Sequence, residues 1–196
     1  MDFDIQFDID KKIIFSFCED KLEIFDCDEE KEDLTTVYGK ICVNDNQVGK
    51  IIGYIVQDNQ NFFDRCDAVS GDLCAVAKAV CNKDGSVSKK YLSENCKDFE
   101  PIFILDKIEI DNKYRNKGIA SNVLKNLSKM LKYQFDFGST IFLCASDYEN
   151  LKNSSYEKGS KNLVKFYEKL GFKYIKNNVL YLNDEEWFAL NLVGNI

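Results

Sequence analysis

Histidine is absent from the sequence, and proline occurs only once among its 196 residues. Without an imidazole, a Ser-His or Cys-His nucleophile pair is excluded, and so is a histidine general base. Any acid–base chemistry must therefore come from aspartate, glutamate, tyrosine, lysine or cysteine.

Basic runs are also short, since no block of positive charge exceeds two residues and the formal net charge is −7. Proteins that bind nucleic acid usually carry a basic stripe, so the sequence predicts no nucleic-acid partner. The net negative charge either keeps the protein soluble or weakly steers a small cationic molecule toward it.

Long apolar runs are missing too, and none approaches the roughly 20 residues of a membrane-spanning helix. The opening "MDFDIQFDID" alternates acidic and apolar residues and lacks the basic start of a secretory signal. We therefore expect no membrane partner and a cytoplasmic location. With 45% hydrophobic and 30% charged residues, and no repeat or linker, the chain is expected to form one globular domain.

The cysteines show no CxxC pair, and without histidine a zinc site would need four thiolates from scattered positions. Free thiols in cytosolic proteins usually behave as small buried hydrophobic groups. We expect that role here and no bound metal. The eight cysteines are Cys18, Cys27, Cys42, Cys66, Cys74, Cys81, Cys96 and Cys144.

The first half of the chain is predicted to be rich in strands, at "IQFDI", "KIIFSF" and "KLEIF". The acidic residues 26–33 are expected to form a solvated loop, because they lack the ligand order of a calcium site. A hairpin is predicted over residues 36–57 with its turn at "NDNQ", followed by one helix from Phe62 to Asn82. The polar residues 83–100 are either a loop over a cleft or a connection.

The second half shows a clearer alternation of strands and helices. We predict a strand over 102–110, a helix over 118–133, a buried strand over 140–146 and a helix over 161–172 that Gly171 ends. Two further strands are predicted at "YIKNNVLYLN" and "EEWFALNLV". This order implies a crossover connection and therefore a parallel pair of strands.

The segment "KYRNKGIASN" lies where a buried strand is followed by a helix. The first N–H groups of a helix have no partner within it and form the positive end of the helix dipole. Gly118 leaves room for an anion, and Arg115 and Lys117 add positive charge. The segment is therefore either a diphosphate cradle or an ordinary basic connection. It matches neither a Walker loop nor the dinucleotide-binding fingerprint.

Two segments together resemble the GNAT-type N-acetyltransferase superfamily. "IEIDNKYRNKGIA" is similar to its acyl-CoA signature, an apolar-x-apolar strand end followed by R/Q-x-x-G-x-G/A at a helix start. "FYEKLGF" is similar to its second recurring segment, and one helix and one strand lie between the two, as in the family. The resemblance extends over about residues 36–196 and is densest over 102–175.

The resemblance implies an α/β fold, in which a GNAT-like mixed, mostly antiparallel central sheet contains a splayed parallel strand pair and has flanking helices. It implies a single acetyltransferase domain over 1–196. Residues 1–100 would be a divergent N-terminal half with a hairpin and an inserted helix, and residues 101–196 the acyl-CoA-binding core. The expected co-substrate is acetyl-CoA, with no metal.

The resemblance also assigns the cofactor-binding residues. The pantetheine arm is expected between the splayed strands, against Ile108, Glu109 and Ile110, and the diphosphate against the amides that follow. Ser160 stands where the family often has an asparagine. The expected diphosphate-binding residues are Arg115, Asn116, Lys117, Gly118, Ile119, Ala120 and Ser121.

Two side chains are candidates for catalysis. Tyr167 matches the tyrosine that protonates the leaving CoA thiolate in many family members, and its alternative is a core aromatic residue. Glu109 is a candidate general base acting through a water molecule, and its alternative is an outward-facing charge. Because side chains alternate along a strand, Glu109 points away from Ile108 and Ile110, but the sequence does not say to which face. Cys144 is expected to serve in packing rather than as a nucleophile.

The resemblance implies an N-acetyltransferase that moves the acetyl group of acetyl-CoA to a primary amine by direct attack in a ternary complex. The alternative is a non-catalytic acyl-CoA-binding or sensing module. The first half departs from the family in the elements that normally shape the acceptor pocket, so the acceptor stays open among small-molecule and peptide amines. A toxin that acetylates aminoacyl-tRNA is disfavoured by the net charge of −7. A homodimer is an open expectation.

Overall fold

The computed structural model describes residues 2–7, 11–20, 34–43, 46–57, 59–92, 101–135, 140–147, 152 and 155–183. Within these residues the chain forms one mixed sheet of eight strands in the order β1-β2-β3-β4-β5-β6-β8-β7. The strands are β1 (Asp2–Phe7), β2 (Lys11–Asp20), β3 (Leu34–Val43), β4 (Asn46–Val56), β5 (Ile102–Ile110), β6 (Thr140–Cys144), β7 (Lys173–Lys176) and β8 (Val179–Asn183). The helices are α1 (Phe62–Asp67), α2 (Gly71–Val80), α3 (Ile119–Phe135) and α4 (Tyr156–Glu168).

Neighbouring strands of this sheet run antiparallel, except that β5 and β6 are parallel. The fold class predicted from the sequence, a mostly antiparallel sheet with one parallel pair and flanking helices, is therefore confirmed. The β3–β4 hairpin and the crossover from β5 through α3 to β6 are confirmed as well. The predicted strands "KLEIF" and "EEWFALNLV" and the acidic residues 26–33 lie outside the described residues.

The helices cover both faces of the sheet. One hydrophobic core joins α3 and α4 to Phe103 and Leu105 of β5, and the other joins α1 and α2 to Ile102 and Ile104. The alternation of side chains along a strand produces this division, and it explains why β5 begins as an unbroken apolar run.

The helix predicted from Phe62 to Asn82 is wrong in one respect, because the structure has two helices there. Ser70 adopts an extended conformation, and its Oγ accepts the N–H of Leu73 at 3.3 Å. Such a side chain caps a new helix. The chain therefore ends α1 and restarts at Gly71 as α2.

The single strand predicted at "YIKNNVLYLN" is also wrong, because the segment is the β7–β8 hairpin. Asn177 and Asn178 have φ values of 49° and 62°. Asparagine tolerates this left-handed conformation, and a two-residue turn with both φ values positive suits the twist of a hairpin.

Candidate functional site

The parallel strands β5 and β6 separate partway along their length. They pair only from Phe103 with Ile141 to Leu105 with Leu143, whereas β5 stays paired with β4 as far as Ile110. From Asp106 to Ile110 the edge of β5 that faces β6 has no strand partner among the described residues. A cleft of about 740 Å³ opens there, a volume typical of small-molecule sites.

Two glycines allow β4 to lie close against β5 beside this cleft. A Cβ atom on Gly49 would overlap the carbonyl oxygen of Glu109, and one on Gly53 would overlap the ring of Phe103. Glycine at these two positions therefore allows β4 to pair closely with β5, near Leu105 and again near Ile110.

A β-bulge at Asp106 decides which side chains of β5 face which layer of helices. The register shifts so that Gly53 lies opposite Leu105 and Ile52 opposite Lys107, which leaves Asp106 as an extra residue. Ile108 and Ile110 consequently pack on the α3–α4 face, as Leu105 does. Since side chains alternate along a strand, Lys107 and Glu109 lie on the opposite face from Ile108 and Ile110, away from the core of α3 and α4.

The loop after β5 leads into the N-terminus of α3. Gly118 has a φ of 76° and Asn116 a φ of 58°, both in the left-handed region. The first bond within the helix runs from the N–H of Asn122 to the carbonyl of Gly118 at 3.0 Å. Ile119, Ala120 and Ser121 precede that bond, so their N–H groups have no partner within the helix. These three residues line the cleft and make its end suitable for an anion.

The basic residues of this loop have contacts of their own. Arg115 lines the cleft, and its Nε donates a hydrogen bond to the carbonyl of Ile110 at 2.8 Å. The Lys117 ammonium lies 5.2 Å from the centre of the Tyr114 ring, and Lys117 is not among the residues that line the cleft. Arg115 therefore lies at the cleft beside the N–H groups of α3, whereas Lys117 lies outside the cleft lining.

Tyr167 is held at the cleft by the way α4 ends. The carbonyl of Tyr167 accepts the N–H of Phe172 at 3.2 Å, that of Glu168 accepts the N–H of Gly171 at 3.0 Å, and Gly171 has a φ of 95°. These bonds form a Schellman motif, which brings the rings of Tyr167 and Phe172 to 5.5 Å from each other.

The Tyr167 side chain carries a proton beside the cleft. The residue is 7% exposed, lines the cleft and also packs against Phe166, with ring centres 5.3 Å apart. Burial raises the pKa of Tyr167 above its ordinary value. The phenol therefore keeps its proton at neutral pH.

Glu109 lines the cleft within a cluster of charges. Its carboxylate forms ion pairs with Lys107 and, at 2.9 Å, with Lys50, its cross-strand neighbour. Hydrogen bonds from Lys107 and then Lys50 lower the pKa of Glu109. The carboxylate is therefore charged at neutral pH, but it is a weak base.

Ser160 is buried in α4 and does not line the cleft. Its Oγ accepts the N–H of Asp147 at 3.2 Å, and a Cβ on Gly159 would overlap the Asp147 carboxylate. The pair Gly159-Ser160 thus allows the chain after β6 to lie against α4. Two adjacent small residues on a helix are the sequence signal that could have indicated this contact.

Cys144, at the end of β6, lines the cleft and is half-buried, with Sγ 3.4 Å from Oγ of Ser146. Burial raises the pKa of the Cys144 thiol. A protonated thiol is a poor nucleophile, which favours the packing role expected from the sequence.

The structure brings most of the predicted site residues together around one cleft, with Lys117 and Ser160 outside its lining. Sequence reasoning missed another group of residues that line the same cleft. Those predicted are Ile108, Glu109, Ile110, Arg115, Asn116, Gly118, Ile119, Ala120, Ser121 and Tyr167. Those missed are Asp106, Lys107, Tyr114, Ala145, Ser146, Asp147, Leu163 and Phe166.

The described residues contain neither a group of side chains suited to a metal ion nor a helix suited to crossing a membrane. In that part of the chain, no three cysteine, aspartate or glutamate side chains are grouped to hold a metal ion. No helix there combines the length and the apolar character needed to cross a bilayer.

Comparison with known proteins gives similarity to solved structures only. No protein-family model and no curated protein matches the chain. AtaT complexed with acetyl-methionyl-tRNAfMet is 13% identical with a TM-score of 0.45, over 90% of this chain and 99% of that one. Arabidopsis thaliana Naa50 in complex with a bisubstrate analogue is 17% identical, with a TM-score of 0.36, and the match covers 74% of this chain and 69% of Naa50. The Bacillus subtilis N-acetyltransferase YlbP in complex with coenzyme A is 16% identical, with a TM-score of 0.37, and the match covers 77% of this chain and 70% of YlbP. All three TM-scores lie below 0.5, and all three identities lie below 25%.

Proposed function

We propose that the protein is an acyl-CoA-dependent N-acetyltransferase that moves the acetyl group of acetyl-CoA to a primary amine. One observation carries the proposal: the edge of β5 beyond its pairing with β6, the loop 111–118 and the N-terminus of α3 follow one another along one cleft. An extended amide-containing arm can pair with such an edge as an added strand, and a diphosphate suits a helix N-terminus. Acetyl-CoA carries both groups, and it supplies the reactive thioester.

The residues predicted for cofactor binding have distinct roles in this proposal. The main chain of Ile108, Glu109 and Ile110 pairs with the pantetheine arm, and those of its N–H groups that point away from β4 face a carbonyl oxygen that gains charge during transfer. The amides from Asn116 to Ser121 bind the diphosphate. Arg115 fixes the loop through Ile110, and Ser160 acts indirectly by holding the segment at Asp147.

Tyr167 is the proposed proton donor to the departing thiolate. Its phenol is protonated at neutral pH, and its ring is fixed beside the cleft by Phe166 and Phe172. The protein would otherwise act by holding the thioester and the amine close together in one complex, so that the amine attacks directly.

Substitution of Gly118 tests the cradle. Gly118→Asp places a carboxylate beside the diphosphate, whereas Gly118→Asn adds a side chain of similar size in the same left-handed backbone without the charge. Like charges about 4 Å apart repel by several kcal/mol near a protein surface, so we expect Asp to weaken acetyl-CoA binding at least about tenfold relative to Asn. Titration calorimetry measures both affinities. Equal affinities of the two variants and the wild type would show that the diphosphate does not bind at Gly118.

A sensing module that binds acyl-CoA without turnover is the second candidate, because the ion pairs of Glu109 leave the predicted base weak. Release of CoA thiol separates the two candidates when the protein is offered 1,4-diaminobutane, ethylamine, glucosamine, glycine methyl ester and a short peptide. Turnover supports the enzyme. Tight acetyl-CoA binding without turnover of any acceptor supports the sensor.

The proposed acceptor is a small-molecule or peptide amine. That the protein has no nucleic-acid partner is a prediction from its sequence. That it forms a homodimer is an open expectation. An aminoacyl-tRNA added to the same panel tests the first, since acetylation of its amino group would overturn it. Sedimentation of the purified protein tests the second.

A further inference from the structure

We infer that Asp106, not Glu109, is the base that accepts the proton of the attacking ammonium. This inference rests on the proposed acetyl transfer and adds a catalytic residue that the sequence did not indicate. It is carried by the position of Asp106 at the β5 bulge and by the groups around it.

Asp106 lies where β5 and β6 separate. It lines the main cleft and also a small pocket beneath α2 that has no room for a water molecule and whose other residues include Asp72, Leu73 and Val76. It follows the last β5 residue paired with β6, so its side chain stands at the start of the unpaired edge. Glu109 lies farther along that edge.

Asp106 and Tyr167 belong to opposite faces of the sheet. Asp106 shares its pocket with α2, whereas Tyr167 belongs to the core beneath α3 and α4. Both line the same cleft. A thioester held along the edge of β5 would therefore have a proton acceptor on the α2 side and a proton donor on the α4 side.

The charges around Asp106 make it a better base than Glu109. Burial and then the Asp72 carboxylate raise the pKa of Asp106, and Lys107 opposes them. Tyr54 of β4 also interacts with Asp106, and Cys144 of β6 lines the same small pocket. A carboxylate that is reluctant to carry its charge attracts an ammonium group and accepts its proton more readily.

The proposed reaction is a direct acetyl transfer accompanied by proton transfers. The ammonium gives one proton to the Asp106 carboxylate, which later releases it to solvent. The nitrogen lone pair forms the new C–N bond to the thioester carbon, and the C–S bond breaks with its electron pair on sulfur. The thiolate takes the Tyr167 proton, and the phenolate recovers a proton from the acylated nitrogen. The products are the N-acetyl amine, CoA thiol and one proton.

The first test is Asp106→Asn, assayed by CoA thiol release with ethylamine and with 1,4-diaminobutane. General-base catalysis contributes about 10²–10⁴-fold, so we expect kcat to fall by about that factor while calorimetry gives acetyl-CoA affinity within about twofold. Asp106→Glu, which keeps a carboxylate, should recover part of kcat. Asp67→Asn makes the same chemical change at an exposed residue outside the cleft lining and should match the wild type.

Two further measurements distinguish a base from a structural residue. Trifluoroethylamine is weakly basic and reaches the enzyme largely unprotonated, so the defect of Asp106→Asn should be much smaller with it than with ethylamine. Asp72→Asn removes a charge that raises the pKa of Asp106, so the rising acid limb of the kcat profile should move to lower pH.

The outcomes separate this inference from the proposed function. If the wild type acetylates amines but Asp106→Asn keeps the wild-type kcat, Asp106 is not the base and the proposed function stands. An equal defect with ethylamine and trifluoroethylamine overturns the inference in the same way. If the wild type acetylates no amine of the panel, the proposed enzyme fails and the assignment of Asp106 fails with it.

Discussion

Tyr167 can be tested as proton donor without disturbing its surroundings. Tyr167→Phe keeps the ring between Phe166 and Phe172 and removes only the hydroxyl. Because a positioned acid contributes about 10²–10⁴-fold, we expect kcat for thiol release to fall at least a hundredfold with little change in acetyl-CoA affinity. Tyr174→Phe, at a tyrosine that is 50% exposed and outside the cleft lining, is the matched control. An unchanged kcat would leave Tyr167 with a packing role alone.

The two acidic residues of β5 show why residue type alone does not distinguish between the candidates for the proposed general base. Glu109 lies in the recognised motif, but two lysines hold its charge. Asp106 lies outside the motif, and burial together with Asp72 makes its charge unfavourable. Lys107 of β5 and burial make the largest contributions to this difference, and Lys50 of β4 and Asp72 of α2, which are distant in sequence from β5, add to it.

At the scale of elements, the pairing of β4 with β5 is what holds the unpaired edge in place. Gly49→Ala would drive a Cβ into the carbonyl oxygen of Glu109, a main-chain atom that cannot turn aside. Overpacking of this kind costs about 1–3 kcal/mol, so we expect a loss of that size in the free energy of unfolding, measured by urea denaturation.

Gly71→Ala is the control for this substitution, because a Cβ there would meet nothing within 4 Å. Since alanine restricts the unfolded chain more than glycine does, this change should leave the free energy of unfolding unchanged or raise it by up to about 1 kcal/mol, and it should not lower it. If both variants unfold at the same urea concentration, the close approach at Gly49 does not limit stability.

Among the elements that frame the cleft, β5 and α3 were the most predictable from sequence, whereas α4 begins at Tyr156 rather than at the predicted residue 161. Strand β5 has the predicted bounds, and α3 begins within one residue of its predicted start, because an apolar run and a 3.6-residue period are strong local signals. The two corrected elements carried weaker signals that were present in the sequence. They were Ser70-Gly71, which restarts a helix, and Asn177-Asn178, which closes a hairpin.

The bulge at Asp106 could not have been predicted in the same way. A bulge is defined by the partner strand, since it depends on which residues of β4 lie opposite Leu105 and Lys107. One extra residue reverses the face of every side chain after it. The position of Glu109, and with it the choice between the two possible bases, therefore required the pairing of the strands.

At the scale of the whole molecule, the sheet separates the two proton transfers proposed for the reaction. Helices α1 and α2 cover the face of Asp106, and α3 and α4 cover the face of Tyr167. The opening between β5 and β6 connects the two faces at one place. An arrangement of this kind allows a base and an acid to act on one thioester without neutralising each other.

The same arrangement predicts how stability depends on pH. The pKa of Asp106 is raised in the folded protein, so its charged form is disfavoured by folding. This destabilisation is complete above the folded pKa and disappears as the pH falls below the unfolded pKa. The pKa of Glu109 is lowered, so its contribution has the opposite sign: it stabilises above the unfolded pKa and is lost as the pH falls through the folded pKa.

Asp106→Asn should therefore unfold at a higher urea concentration than the wild type at pH 7, and its advantage should disappear at acid pH, where Asp106 is protonated in both states. Asp67→Asn removes the same charge at an exposed position and should stay within about 0.5 kcal/mol of the wild type. A more stable Asp106→Asn variant that also loses kcat would show that the Asp106 charge destabilises the folded protein and is needed for the reaction. A variant less stable than the wild type at pH 7 would contradict this, because it would mean that the Asp106 charge is satisfied in the folded protein.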